Sequence, residues 1–136
     1  MVDLVARESS LKGWAVQKEP CYTISASGER LKPDLVLRRD EPKEILILDP
    51  SIVSEDRIDD TNRLKTRKYQ PLVRELETMH IGYQVSAKGL ALGVRGIIPL
   101  ESERTLVYGL GLPKKILTKL SISIARGSIN ILSHLD

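Results

Sequence analysis

Two aspartates and a lysine-rich segment are the residues of this chain best suited to chemistry. Asp34 stands in Lys32-Pro33-Asp34, directly ahead of the aliphatic run Leu35-Val36-Leu37, and Asp49 closes a second run, Ile45-Leu46-Ile47-Leu48. The 14 residues between them (35 to 48) are enough for one strand, a charged turn over Arg38 to Lys43 and a return strand that stops at Asp49. A hairpin of that length sets the two carboxylates side by side. Hard cations such as Mg²⁺ take a few carboxylate oxygens together with waters and substrate phosphate oxygens, so converging Asp residues form the donor set of a divalent site acting on a phosphodiester.

The second half of that chemistry lies in Asp59-Asp60-Thr61-Asn62-Arg63-Leu64-Lys65-Thr66-Arg67-Lys68-Tyr69, where four cations fall within six residues. On a helix Lys65 and Lys68 are three apart and share a face with Asn62 and Tyr69, while Arg63 and Arg67 line the adjacent side. An ammonium on that face can stabilise charge developing on a transferred phosphoryl group. Taken alone, a charge run on a helix is a solvated face, and Pro-Asp opens many turns. Their succession in one chain is what joins them.

Lys-Pro-Asp, a spacer of this length, an aliphatic strand ending in Asp and a downstream Lys-x-x-Lys-Tyr helix together resemble the restriction-like endonuclease of site-specific non-LTR retrotransposons, a branch of the PD-(D/E)xK nuclease superfamily. Gly13-Trp14 with Glu19-Pro20 resembles the segment before that motif, and Gly109-Leu110-Gly111-Leu112-Pro113-Lys114 with Gly127-Ser128-Ile129 resembles the closing helices. The resemblance implies an α/β fold, a restriction-endonuclease-like mixed central sheet flanked by helices, over residues 1–136 as a single domain. It also implies a place at the carboxy-terminal end of a reverse-transcriptase polyprotein acting with its element RNA in the nucleus, nicking target DNA so that a 3′ hydroxyl primes reverse transcription.

Carried over by position, Asp34 and Asp49 match the metal-binding acids, and Lys65 or Lys68 matches the lysine supplied from the helix, with the Pro50 carbonyl as a further ligand. Mg²⁺ is the implied cofactor, with Mn²⁺ able to substitute. The ion would polarise the scissile phosphate and lower the pKa of the attacking water. Phosphate contacts are expected from Lys32, Arg63, Arg67 and Lys68, with Tyr69 on the same nucleic-acid-binding surface, so binding should weaken steeply with salt. In the general superfamily pattern the lysine sits two residues after the second acid, and that place is Ser51 here. A hydroxyl does not replace an ammonium, so the helix must supply the lysine. A further carboxylate is expected from the first helix: Glu8, between Leu4 and Leu11 on the apolar stripe, is preferred to Asp3, against the alternative of a rim glutamate paired with Lys12.

The elements that must position these groups are legible in outline. Val2 to Lys12 suits an amphipathic helix ending at Gly13, Trp14 to Lys18 a strand, Cys21 to Ile24 a second, and the Pro-Asp strand starts at about Leu31. Ile58 to Met79 is helical in preference, and Pro71 either kinks one helix or starts another. Strands follow at Ile81 to Ser86 and Ala91 to Ile98, then a helix over Pro113 to Ala125 and a last short helix or strand over Ser128 to Leu135.

Composition permits this reading. The 136 residues are 41% apolar and 29% charged, and with no Phe and one Trp the core must be aliphatic. A net charge of +3 is compatible with a polyanion such as DNA and does not require one. One cysteine, Cys21, excludes an internal disulfide framework and a multi-cysteine zinc site and fits a reducing compartment. No apolar stretch is long enough to span a membrane, and no secretory leader is evident. His80 and His134 lack ligand-spaced neighbours, Trp14 suits a core, and Lys114, Lys115 and Lys119 form a second basic cluster. Two other functions fit the same residues: a structure-specific nuclease of the Holliday-junction-resolvase type, acting as a dimer, and a metal-free nuclease-like scaffold. Junction cleavage distinguishes the first, and absence of carboxylate-dependent metal binding the second.

Overall fold

The computed structural model describes the backbone of residues 1–134 and the side chains of residues 1–127. Helix α1 (Val2–Leu11) leads into β1 (Ala15–Lys18), a small antiparallel ribbon of β2 (Tyr22–Thr23) and β3 (Arg30–Leu31), and the hairpin β4 (Leu35–Asp40) and β5 (Lys43–Val53). A 3₁₀ turn at Glu55–Arg57 opens α2 (Ile58–Lys68) and α3 (Gln70–Met79), which return the chain to β6 (Gln84–Gly93). A single turn α4 (Leu100–Glu103), a wide π-type turn Arg104–Gly109 and the long α5 (Lys115–His134) complete it.

The main sheet runs β1-β4-β5-β6, with β1/β4 and β4/β5 antiparallel and β5/β6 parallel. The protein is thus a mixed-sheet α/β fold flanked by helices. Because side chains alternate across a strand, each face has its own packing. Leu35 and Leu37 of β4, Leu46 and Leu48 of β5 and Leu90 and Leu92 of β6 pack with α1, α5 and Trp14. The intervening residues Val36, Ile45, Ile47 and Ala87 pack with Tyr69 and the α3 residues Leu72, Val73 and Leu76. Each fully buried aliphatic side chain stabilises the fold by roughly 1.5–3 kcal/mol. Trp14 is core, and its indole Nε1 donates to Leu110 O at 3.0 Å, tying β1 to the π-type turn.

Several elements depart from the expected boundaries. The Pro-Asp strand starts at Leu35, not Leu31, because Leu31 pairs with Tyr22 in the separate ribbon. Strand β5 does not stop at Asp49 but continues to Val53, held by its parallel pairing with β6. Pro50 is tolerated inside it for a geometric reason. Val53 O accepts from Val94 N at 2.9 Å, so the odd-numbered residues of β5 turn their backbone groups toward β6 and Pro50 turns its own toward β4. That strand begins only opposite Leu48, so no ladder bond is lost at the proline nitrogen.

The two strands expected at Ile81 to Ser86 and Ala91 to Ile98 are one, Gln84–Gly93, continuous through Lys88-Gly89-Leu90 because β5 pairs with it throughout. Pro71 starts a second helix: α2 ends at Lys68 and α3 carries the proline in its first turn, where a missing N–H costs nothing. The expected break near Ser128 is absent, since α5 runs on to His134; Leu135 lies outside the described residues. In α1 the buried positions are Val5, Ala6 and Ser9, whereas Leu11 is 75% exposed, so the apolar stripe is not the Leu4–Leu11 line.

Candidate active site

Extending the β4/β5 register one step past Leu35↔Leu48 sets Asp34 across from Asp49. Leu35 and Leu48 turn toward each other in the ladder, so the next pair is a non-hydrogen-bonded one, the arrangement that brings opposed side chains closest on one face. Asp34 and Asp49 are accordingly in hydrogen-bonding contact. Burial first, then the hydrogen bond and charge of Asp49, push the Asp34 carboxyl from the ordinary 3.8 up to about 6; Lys65 pulls it down and Glu19 adds to the rise. Asp49 is 8% exposed. Two acids pressed together in a half-buried place need a cation between or beside them.

One such cation is present. Lys65 Nζ lies 3.3 Å from Asp49 Oδ2, and Tyr69 donates its hydroxyl to the same oxygen at 3.0 Å. Helix α2 delivers both: Ile58, Asn62, Lys65 and Tyr69 recur at intervals of four, three and four, which is one helix face turned to the sheet. The helix comes that near because the strand beneath it is built of small residues. Ala87, Gly89, Ala91 and Gly93 alternate along β6 on this side, and a Cβ on Gly89 would stand 2.9 Å from the Asn62 Cα. Asn62, itself buried, accepts from the Ala91 backbone N–H at 2.8 Å and fixes the helix over that strand.

The structure distributes the remaining site residues as follows. Lys68 is exposed, its ammonium 5.3 Å from the centroid of the Tyr69 ring. Tyr69 itself is 2% exposed and packed in the α3-side core, so the expectation that it faces nucleic acid is corrected: its ring has no surface to offer a base. Burial and the neighbouring Asp49 push its phenol well above the usual range. Arg63 and Arg67 line an open groove of about 590 Å³ with Asn62, Thr66 and Gln70. They stand on the flank of α2 away from Lys65. Arg63 is paired with Asp60 at 2.6 Å, and Arg67 has no ion pair among the described residues. Lys32 is exposed, two residues before Asp34.

Glu8 is not brought to the pair. Its carboxylate lies 3.9 Å from Lys119 Nζ of α5, because α1 packs on the face of the sheet opposite Asp49; this also answers for Lys119 in the second basic cluster. Asp3 pairs with Lys18 at 3.0 Å. The carboxylate whose charge reaches Asp34 is instead Glu19, whose backbone N–H donates to Asp34 O at 2.8 Å and whose φ of 49° is left-handed for a non-glycine residue. Sequence reading put Asn62 on the helix face of Lys65 but missed Glu19 and Gly89 as parts of this place; the alternating small residues of β6 were the available signal for Gly89.

Among the described residues no group of three or more His, Cys, Asp and Glu has a metal-holding arrangement. The donors on hand are two carboxylates and the Pro50 carbonyl, which faces the sheet edge where the continuing register offers only Pro33, a residue without an N–H. All are hard oxygens, and such a small protein donor set fits Mg²⁺, which keeps several of its waters, better than zinc. Ser51, on the same strand face as Asp49, has a buried hydroxyl without a partner. Compared with known proteins, the chain matches no family model and no curated protein. No helix among the described residues is long and apolar enough to cross a membrane.

Proposed function

We propose that this chain is a Mg²⁺-dependent DNA endonuclease domain with a restriction-endonuclease-like fold, cutting phosphodiesters through Asp34, Asp49 and Lys65. One observation carries the reading: Lys65 Nζ reaches Asp49 Oδ2 at 3.3 Å while Asp34 presses on Asp49, so two acids from adjoining strands and an ammonium from the next helix converge on one point. A structural ion pair needs only one of those acids. A second carboxylate held against the first, at the cost of a raised pKa, is the mark of a site that awaits a cation.

In this reading Asp34 and Asp49 hold the metal with the Pro50 carbonyl beside them. The bound ion supplies Lewis-acid polarisation of the phosphate and a water of lowered pKa. Lys65 stands where its ammonium opposes the charge that develops on the phosphoryl oxygens. Lys68, Lys32, Arg63 and Arg67 make backbone contacts that position the strand without reading its sequence. The likeness of the motif to the retrotransposon branch extends the proposal to a target-nicking role within a reverse-transcriptase polyprotein in the nucleus.

The test is a plasmid nicking assay in Mg²⁺ and in Mn²⁺. Supercoiled DNA should become open-circle with the wild type and stay supercoiled with Asp34→Ala or Asp49→Ala. Lys65→Ala should lose about 10²–10³-fold in rate, the range for removing a group that stabilises developing charge. Lys68→Ala should chiefly weaken binding and flatten its salt dependence. Without metal Asp34 takes up a proton below about pH 6, so Mg²⁺ must compete with that proton and its half-saturating concentration should rise as the pH falls through this range. Nicking that survives loss of either acid would reject the proposal.

A further inference from the structure

We infer that Tyr69 is a positioning residue for Asp49: its hydroxyl, buried at the corner between α2 and α3, holds one carboxylate oxygen and thereby aims the other at the metal. The inference rests on the endonuclease reading above and goes beyond it.

Asp49 Oδ2 accepts a hydrogen bond from the Tyr69 hydroxyl at 3.0 Å and is ion-paired with the Lys65 ammonium at 3.3 Å. With Oδ2 engaged by both, a cation shared with Asp34 falls to Oδ1, the metal replacing the proton that the two acids share without it. The two partners are unequal as holders. Lys65 hangs on a flexible four-carbon stem at the rim of the site, whereas Tyr69 is 2% exposed, with its ring packed in the cluster that contains Ile47 and Leu72. A donor locked by packing fixes a ligand's rotamer, and one free to swing does not. The hydroxyl cannot be explained as a core requirement, since a phenylalanine would fill the same volume. Position matters as well. Tyr69 is the one residue between the two helices, and its backbone N–H still donates a helical hydrogen bond to Lys65 O at 3.3 Å. The break between α2 and α3 is therefore pinned onto the acid pair, and Lys65 and Tyr69 reach Asp49 from successive turns of one helix.

The experiment compares wild type with Tyr69→Phe and with Tyr69→Leu in the full chain. It reads Mn²⁺ binding by calorimetry, the midpoint of thermal unfolding without metal, and the Mg²⁺ concentration that half-saturates nicking. Tyr69→Phe keeps the ring and should keep the metal-free melting point, yet weaken Mn²⁺ binding on the order of tenfold, as loss of a partner behind a metal ligand does, with a matching rise in the half-saturating Mg²⁺. Tyr69→Leu should lose stability and metal affinity together. Unchanged Mn²⁺ affinity in Tyr69→Phe overturns the inference and leaves the endonuclease reading standing, and so does a drop in melting point with metal affinity intact. A wild type that neither binds Mn²⁺ nor nicks DNA overturns the endonuclease reading, and the inference with it.

Discussion

The two faces of the central sheet are made by alternate residues of the same strands, and they have been put to opposite uses. On the α1/α5 face Leu35, Leu37, Leu46, Leu48, Leu90 and Leu92 of the strands are all aliphatic, and the buried, unpartnered Ser9 hydroxyl of α1 is a polar group of the covering helix rather than of the sheet. On the other face the same β5 and β6 present Asp49, Ser51, Gly89 and Ala91 beneath α2. There the contacts are hydrogen bonds and an ion pair, and the Ser51 hydroxyl and the Asn62 amide nitrogen are buried without partners. Only further along, at Val36, Ile45 and Ile47, does this face become apolar again under α3. Burial of aliphatic surface stabilises one face; the other gives up part of that stabilisation to hold acids together. A strand can do both because a shift of one residue moves a side chain to the other side.

The sharpest way to break this comparison is to mutate neighbours on β5. Leu48→Ala on the packing face should cost about 2–5 kcal/mol in chemical unfolding, the range for emptying a fully buried leucine site. Asp49→Asn, one residue on, should leave the unfolding free energy nearly unchanged while removing divalent-metal binding. Equal losses of stability in both variants would show that the faces are not specialised.

A smaller effect is expected from Gly89→Ala. Its new Cβ meets the Asn62 backbone, Cα at 2.9 Å and O at 3.1 Å, and backbone cannot swing aside. Overpacking of this kind costs about 1–3 kcal/mol. Because the displaced element is α2, the variant should also lengthen the Lys65–Asp49 contact and reduce nicking beyond what the stability loss explains. The same change at Gly28, where a Cβ meets nothing but the φ of +74° disfavours a side chain, should cost some stability and leave nicking untouched.

The smallest effect concerns Asp34. Its folded-state pKa, about 6, is raised above the ordinary 3.8, so the protein binds this proton more tightly folded than unfolded. The resulting stabilisation is present below about pH 4 and lost as the pH climbs through 6. Asp34→Asn removes the penalty of the charged form. It should therefore match wild type in thermal midpoint near pH 4 and exceed it above pH 7, by about 1 kcal/mol once solvent screening around a half-buried group is allowed for. A gain that shrinks as pH rises would contradict the assigned contact with Asp49.

The amino-acid sequence by itself determined the local half of this molecule. Two continuous aliphatic runs on either side of a charged, Pro-containing turn are enough for the β4/β5 hairpin, while the register that sets Asp34 across from Asp49 on one face comes from the paired strands. Pro71 is enough to divide α2 from α3, since a ring without an N–H belongs in a helix's first turn. What the chain's order does not encode locally is which distant groups meet. Glu8 and Lys119 are 111 residues apart by number (119 − 8) and pair because α1 and α5 share a face. Tyr69 reads as a surface residue in a run of cations and is instead buried against Asp49, 20 positions away. Lys65 rather than Lys68 reaches Asp49 because of how α2 is rotated about its axis over the sheet, and that rotation is set by Gly89 and Ala91 under Asn62. Hydrophobic periodicity and turn chemistry act over a few residues, whereas the helix's rotation and its height above the sheet depend on how two surfaces pack, and only the tertiary structure decides that.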